Sequence, residues 1–591
     1  MRATMYFAAI ALLFMGAPAH AQAPNTQAPN ARPNIVLILA DDVGFTDLGA
    51  YGGEARTPNI DRLAARGALF SRYYSSPLCS PSRAMLLTGM DSHRTGHATI
   101  VEVLPRELRN RPGYSMRLEP GVVTIAERLR QSGYRTYVTG KWHLGHGKGD
   151  LPDSHGFDRS FVLDASGADN WDERPYIPYY RRADWFENGK RAHLPKDFYS
   201  SQFIVDRMID YLDADAAQTD KPFFAYLAFQ AVHIPVQAPR KFTEGYNGVY
   251  DGGWESVRAA RWARTQALGL NPADASPAAP HPRFRAWSAL SADDRALYAR
   301  SMQVHAGMIE AMDVHIGRLL EYLAARGLAD NTIFVITSDN GPEPSNPMVE
   351  PDFVRWMDLR GGYTRKLDDL GERGSFVFIG PEWANATSAG ALYKFTTGEG
   401  GLRVPLVMAG PGIAPQRIDA RAFVTDITPT LLERAGVTAP AAAIDGVSMT
   451  GLLGQTQSAL RSDGDVIGVE VSGHAALYRG DYKIVRTPPP LGDGSWRLYD
   501  VTRDPGETRD LSNDQTALFD SMRAAYDAYA TRVGVLPLPE GYDVQRQVVH
   551  NTRMKSLQQY WWVLALGAVL LVGVAYLVIR MLGAALRPRR A

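Results

Sequence analysis

The chain predicts an α/β fold: a large mixed, mainly parallel sheet sandwiched by helices, then a smaller C-terminal antiparallel sheet with one helix, then a C-terminal transmembrane helix. Three observations carry that expectation. Apolar, β-rich runs alternate with helix-periodic stretches and end abruptly in polar residues. After about Thr430 the strand-like pieces become short and closely spaced. Near the end, Trp561 to Ile579 contains no charged residue.

The first run, Asn34 to Ala40, leads into Asp41-Asp42, and Tyr134 to Thr139 leads into Gly140-Lys141-Trp142-His143. Phe223 to Phe229 precedes His233, and Thr332 to Thr337 leads into Ser338-Asp339-Asn340-Gly341. Near-continuous apolar runs suit strands covered on both faces, as in a parallel sheet. A fifth run, Val404 to Met408, is less regular because Pro405 removes a ladder donor. Helical spacing marks Ile60 to Gly67, Thr124 to Ser132 and Tyr298 to Arg326, the last carrying Met302, His305, Met308, Ile309, Met312 and Ile316. In open α/β sheets, ligands bind beyond the carboxyl ends of the strands, so four separate polar clusters should converge in one crevice. In the second domain, Val466–Glu470, Ala475–Tyr478, Tyr482–Val485 and Trp496–Tyr499 read as strands, with a hairpin turn at Gly480-Asp481. A helix bearing Leu518, Met522, Ala525 and Tyr529 on one face should cover them.

The ends set the compartment. Met1 to Ala21 has Arg2, an apolar stretch and Ala19-His20-Ala21, the pattern of a secretory signal peptide. Residues 22–32 repeat Gln-Ala-Pro-Asn and read as a disordered leader. The catalytic domain is then expected over 33–430 and the C-terminal α+β subdomain over 431–535, with a linker over 536–559 that either holds the body off the membrane or packs on the body. A transmembrane helix over 560–580 and a cytoplasmic tail over 581–591 complete the plan. A span needs roughly 20 apolar residues. Tyr560, Trp561 and Trp562 mark one interface, and Arg580, Arg587, Arg589 and Arg590 follow the span, which places the C-terminus in the cytoplasm. The body should therefore sit on the periplasmic side of a bacterial inner membrane. Lys+Arg and Asp+Glu are both 63, so no net field points to nucleic acid.

Asp41, Asp42, Asp339 and Asn340 offer only oxygen donors, which select calcium, or less readily magnesium, over zinc. Each Asp alone would serve equally well as a helix cap. The single cysteine, Cys79, lies in Ser76-Pro77-Leu78-Cys79-Ser80-Pro81-Ser82-Arg83. Without a partner for an internal disulfide it is idle, intermolecular or chemically special. Four other histidines, His93, His97, His146 and His155, are expected at the pocket rim without a chemical role.

Read on through Leu86-Leu87-Thr88-Gly89, the Cys79 segment resembles the sulfatase signature, and Gly133 to His143 resembles the family's second signature. Tyr393-Lys394-Phe395-Thr396-Thr397, Gly400 to Pro405, His155-Gly156-Phe157-Asp158 and Leu498 to Leu511 also look like family segments. The likeness is to bacterial type I arylsulfatases of the alkaline-phosphatase-like superfamily, over Pro33 to Val535. It implies that a formylglycine-generating or anaerobic sulfatase-maturing enzyme oxidises Cys79 to 3-oxoalanine (formylglycine), whose hydrate is the nucleophile. It further implies one calcium held by Asp41, Asp42, Asp339 and Asn340, joined by residue 79. Arg83 would hold the formylglycine hydroxyl, Lys141 and Lys394 would bracket the sulfate, His233 would protonate the leaving alcohol, and His143 would take the proton that lets sulfate depart. The implied reaction is hydrolysis of small-molecule sulfate monoesters, with aromatic residues between Asn346 and Lys394 lining the pocket for an aryl group. Two other readings of the same residues are a phosphonate monoester or phosphodiester hydrolase, and an inactive membrane-held binding protein.

Overall fold

The computed structural model describes residues 32–585 except 219, 220, 389, 441 and 442; the stretch expected as a signal peptide, nearly all of the expected leader, and the expected tail beyond 585 lie outside the described residues. Ten strands form one sheet in the order Gln416–Ile418, Ala68–Phe70, Leu406–Ala409, Thr332–Ser338, Asn34–Ala40, Phe223–Ala228, Arg135–Lys141, Arg159–Leu163, Trp185–Glu187, Lys190–Ala192. The five central strands, Thr332–Ser338 through Arg159–Leu163, run parallel. Antiparallel pairings flank them on both sides, so the sheet is mixed and mainly parallel. Pro405 sits one residue before its strand, where its missing N–H costs no ladder bond.

Burial explains why the central runs read as continuous apolar segments. Val36 and Ile38 face one core, while Ile35, Leu37 and Leu39 face the other, and all five are buried. Each such side chain contributes about 1.5–3 kcal/mol by leaving water. The Ala292–Ala325 helix covers the first face with Met302, Met308, Met312 and Ile316. It starts where Ser291 accepts from the Asp294 N–H and acidic residues fill the first turn. The second face is covered by Cys79–Thr88, Ile125–Gln131 and Ile427–Arg434.

The C-terminal sheet is the expected four-stranded antiparallel one, Val466–Val471, His474–Arg479, Tyr482–Arg486 and Trp496–Asp500, with Gly480 at φ 52° in the hairpin turn. Thr516–Val533 lies on it through Met522, Tyr526 and Tyr529. Buried polar pairs dock this sheet on the body. His93 joins Asp91 at 3.2 Å and Glu470 at 2.8 Å, and the Tyr529 hydroxyl donates to Asp91 at 2.7 Å. His93 thus lies at this junction and not at the pocket rim.

Of the two arrangements open to the linker, the structure shows the one packed on the body. The Leu536 N–H donates to Tyr114, the Tyr542 hydroxyl to the Val103 carbonyl, and a continuous helix then runs from Val544 to Ala585. Val544 and Val548, one helical turn apart, pack with Leu78, Ile100 and Val103. Asn551, 2% exposed, donates to the carbonyls of Glu102 and Leu104 at 2.9 Å each. Ala565–Gly583 is long and apolar enough to cross a bilayer, and none of it is buried.

Burial works against a charged His93, but its hydrogen bonds to Asp91 and Glu470 outweigh that and push its pKa up from 6.5 to about 9. A raised folded-state pKa stabilises fully below pH 6.5, and that contribution is lost as pH rises toward 9. Melting temperature is therefore expected to fall across pH 6.5–9, with a shallower fall in His93→Gln. Parallel calorimetric scans check this; equal slopes in the two proteins would remove His93 as the cause.

Candidate active site

Strand register assembles the site. Ala40 pairs with Ser338, so Asp41 and Asp339 leave the sheet side by side. Leu39 and Gly140 both pair with Ala228, which brings Lys141 level with Ala40. The expected convergence at one sheet edge is what the structure shows. Cys79 enters from the first turn of its helix, its Sγ 3.7 Å from Asp41 Oδ1.

Charges of both signs are then packed out of water. Lys141 Nζ donates to Asp41 Oδ2 at 2.7 Å, and Lys394 Nζ to Asp42 Oδ1 at 2.7 Å. Arg83 donates to Asp339 Oδ2 from Nε at 3.0 Å and Nη2 at 2.7 Å, and its Nη1 donates to the Lys141 carbonyl at 2.9 Å. Asn340 Nδ2 donates to Asp42 Oδ1 at 2.6 Å. His233 Nδ1 donates to the Ile234 carbonyl at 2.6 Å, leaving Nε2 4.0 Å from Asp42 Oδ2. His143 is tied in through its carbonyl, which accepts from Ser80 Oγ at 2.8 Å; its Nδ1 is buried and has no hydrogen-bond partner. Asp42 and His143 hold positive φ of 64° and 54°, a region uncommon for side-chain-bearing residues and frequent at functional positions.

Burial shapes the electrostatics. It pushes Asp41 up, with help from neighbouring Asp339, and pushes Asp42 up further against the pull of Lys394. Asp339 is also pushed up by burial, but Arg83 and the lysines overcome this and hold it below the usual carboxylate range. His143 and His233 fall well below 6.5, first through burial and then through nearby Lys141, so both imidazoles are neutral at neutral pH. Burial pushes the Cys79 thiol up, so an unmodified cysteine here is a poor nucleophile.

The donor set fits a hard cation. One atom each from Asp41, Asp42, Cys79 and Asp339 lies within 4.8 Å of the others. Asp42 Oδ2 and Asn340 Oδ1 are buried without hydrogen-bond partners, which is costly unless something positive meets them.

Sequence reading missed Glu343, which pairs with Lys394 at 2.8 Å and could share a cation with Asp42 and His233. Its only signal was its place two residues beyond Gly341. The aromatic residues between Asn346 and Lys394 mostly turn away from the site. Trp356, Tyr363, Phe376, Phe378 and Trp383 pack in the core, and only Phe353 among them lines the neighbouring pocket of about 170 Å³. His97 is buried against Ser80 Oγ at 2.7 Å, His155 stacks on Trp142, and His146 pairs with Asp164.

Comparison with known proteins agrees with this geometry. A family model described as Sulfatase matches residues 33–437, and one described as N-sulphoglucosamine sulphohydrolase, C-terminal, matches 392–525. An uncharacterised sulfatase of Schizosaccharomyces pombe is 32% identical over 88% of this chain and 97% of its own length. The arylsulfatase of Klebsiella aerogenes is 36% identical over 73% of this chain and 91% of its own. A crystal structure of a protein bound to a neocarrahexaose shares the fold with TM-score 0.62 at 23% identity, covering 90% of this chain and 98% of that one. The chain thus belongs to the sulfatase family and is a sulfuric ester hydrolase.

Proposed function

We propose that the protein hydrolyses sulfate monoesters, aryl sulfates in particular, to the alcohol or phenol and inorganic sulfate, with Cys79 converted to formylglycine by a maturing enzyme. The observation that carries this is Cys79 itself: a buried single cysteine at a helix start, against Asp41, with the ammonium groups of Lys141 and Lys394 in the same cluster. Asp41, Asp42, Asp339 and Asn340 would hold one Ca²⁺, which offsets the charge of the sulfate oxygens and polarises them. The formylglycine hydrate supplies the nucleophilic oxygen, and its second hydroxyl supplies the proton whose loss lets sulfate depart.

The chain's own residues do the rest. Lys141 and Lys394 bind the sulfate as point charges in a dry site, where such charges stabilise a developing anion more than they do in water. Arg83, fixed by Asp339 and the Lys141 carbonyl, orients residue 79. His233 Nδ1 is committed to the Ile234 carbonyl, so Nε2, bare in the neutral ring, is the atom that takes up the proton released by the attacking hydroxyl and passes it to the leaving oxygen. His143, neutral in its buried setting, accepts a proton. The preference for aryl groups rests on the resemblance to an arylsulfatase and on Tyr176, Ile177, Ile234 and Phe395, which line the pocket beside Glu343. The exposed apolar helix anchors the protein in the bacterial inner membrane, with the body on the periplasmic side.

Peptide mass spectrometry of protein from the native host is expected to show 3-oxoalanine at position 79; an intact thiol in catalytically active protein would refute the nucleophile. Cys79→Ser, which lacks the second hydroxyl of the hydrate, is expected to give no multiple turnovers on 4-nitrophenyl sulfate. His233→Ala is expected to lower kcat by about 10²–10⁴, with a smaller loss for esters whose leaving group needs no proton. Adding Ca²⁺ to chelated protein should raise Tm, since a ligand that binds only the folded state stabilises it. Asp42→Asn should lack most of that rise, and an undiminished rise would place the ion elsewhere.

A further inference from the structure

The pocket that receives the leaving group has a wall that lies beyond the matched family regions. Its inner end borders the candidate site: Glu343 pairs with Lys394, Tyr176 packs its ring edge-on against His233 at 5.0 Å, and Ile234 follows His233 in the chain. Its outer wall is the last helix, through Gln545, Val548, Val549, Thr552 and Arg553. The same helix becomes the membrane span. At 1.5 Å per residue, Val549 stands about 18 Å and Arg553 about 12 Å along the helix axis from Trp561.

The opposite walls of the pocket are pinned to this helix on the stretch that leads toward its exposed apolar segment. Asp352, in the wall, pairs with Arg553 at 2.8 Å. Next to the wall residue Pro178, Tyr179 lies under Lys555 at 5.7 Å and accepts a hydrogen bond at its carbonyl from Gln559. Arg360 lies over the Tyr560 ring at 4.3 Å, beside Leu359, which is 76% exposed. Val349, itself a pocket residue, is 71% exposed. An apolar pocket thus opens among apolar surface residues, on the part of the helix that precedes its exposed apolar segment.

Resting on the sulfatase and anchor reading above, we infer that the natural substrates are amphiphilic sulfate esters held in the bilayer surface. The sulfate reaches Lys141 and Lys394, and the apolar alcohol lies along Val548 and Val549. The S–O bond breaks, water supplies the oxygen that ends in sulfate, and the alcohol keeps its own oxygen, gains a proton and returns to the membrane.

The test uses the full chain reconstituted in phosphatidylcholine vesicles, with 4-ethylphenyl sulfate and 4-dodecylphenyl sulfate, whose leaving groups have matched acidity. The dodecyl ester is expected to be favoured at least tenfold in kcat/KM. Doubling the lipid at fixed total ester should roughly halve its rate, because a surface-held substrate is diluted in the surface. Val549→Asp, a charge in the slot, should collapse the dodecyl-to-ethyl ratio toward one, and Val549→Leu should restore it. Equal kcat/KM for the two esters in the unaltered protein, or an equal fall on both in Val549→Asp, overturns the inference while leaving sulfatase activity standing. Absence of turnover on either ester in protein shown to carry 3-oxoalanine overturns the sulfatase reading, and this inference with it.

Discussion

The rest of this structure depends on keeping three aspartates, two lysines and an arginine together out of water. Asp41, Asp42, Asp339, Lys141, Lys394 and Arg83 are all 2% exposed or less. Burying an ionised group costs several kcal/mol unless opposite charge and hydrogen bonds repay it. Here each carboxylate has a cationic partner within hydrogen-bond distance, and the remaining orphan atoms, Asp42 Oδ2 and Asn340 Oδ1, belong to the same cluster. The sheet places Asp41, Asp42, Asp339 and Lys141 in this cluster, the Cys79–Thr88 helix supplies Arg83, and a turn supplies Lys394. A register slip of one residue in a central strand would turn its apolar residues to the wrong face and carry its terminal acid or base out of the crevice.

That dependence explains which features were legible in the sequence. The central strands announce themselves because a strand covered on both faces must be apolar throughout, and the polar residue that ends each run is where the sheet releases the chain toward the site. Asp41, Asp339 and Lys141 could therefore be placed from local pattern alone, and Lys394 and His233 from resemblance and strand-end position. Glu343 gave no such signal, because it faces the site from a loop where sequence carries no periodicity. The aromatic stretch misled for a related reason: composition records that Trp356, Tyr363 and Trp383 bury surface, not which side they bury it against. For the segment after Asp543 the sequence left tether and packed linker equally open, since only Val544 and Val548 mark its buried face and the contact that fixes it is a polar one, Asn551 with two backbone carbonyls.

Asn551 also shows how a segment at the chain's far end shapes the reaction centre. It fixes the backbone at Glu102, whose carboxylate accepts from the hydroxyls of Ser166 and Tyr180. The Ser166 hydroxyl bonds in turn to Tyr176 at 2.8 Å, and the Tyr176 ring packs edge-on against His233. Gly167, next in the chain, comes so close that an added Cβ would lie 2.5 Å from the His233 ring. Every member of this sequence is packed and most are buried, so the imidazole has little room to swing once the helix is seated. The proton transfer proposed for His233 needs a fixed position, since a misplacement of about 1 Å costs on the order of a hundredfold in rate. The helix that carries the exposed apolar segment therefore belongs to the architecture of the candidate site: the contacts that seat it on the body are linked through Glu102, Ser166 and Tyr176 to the packing around His233.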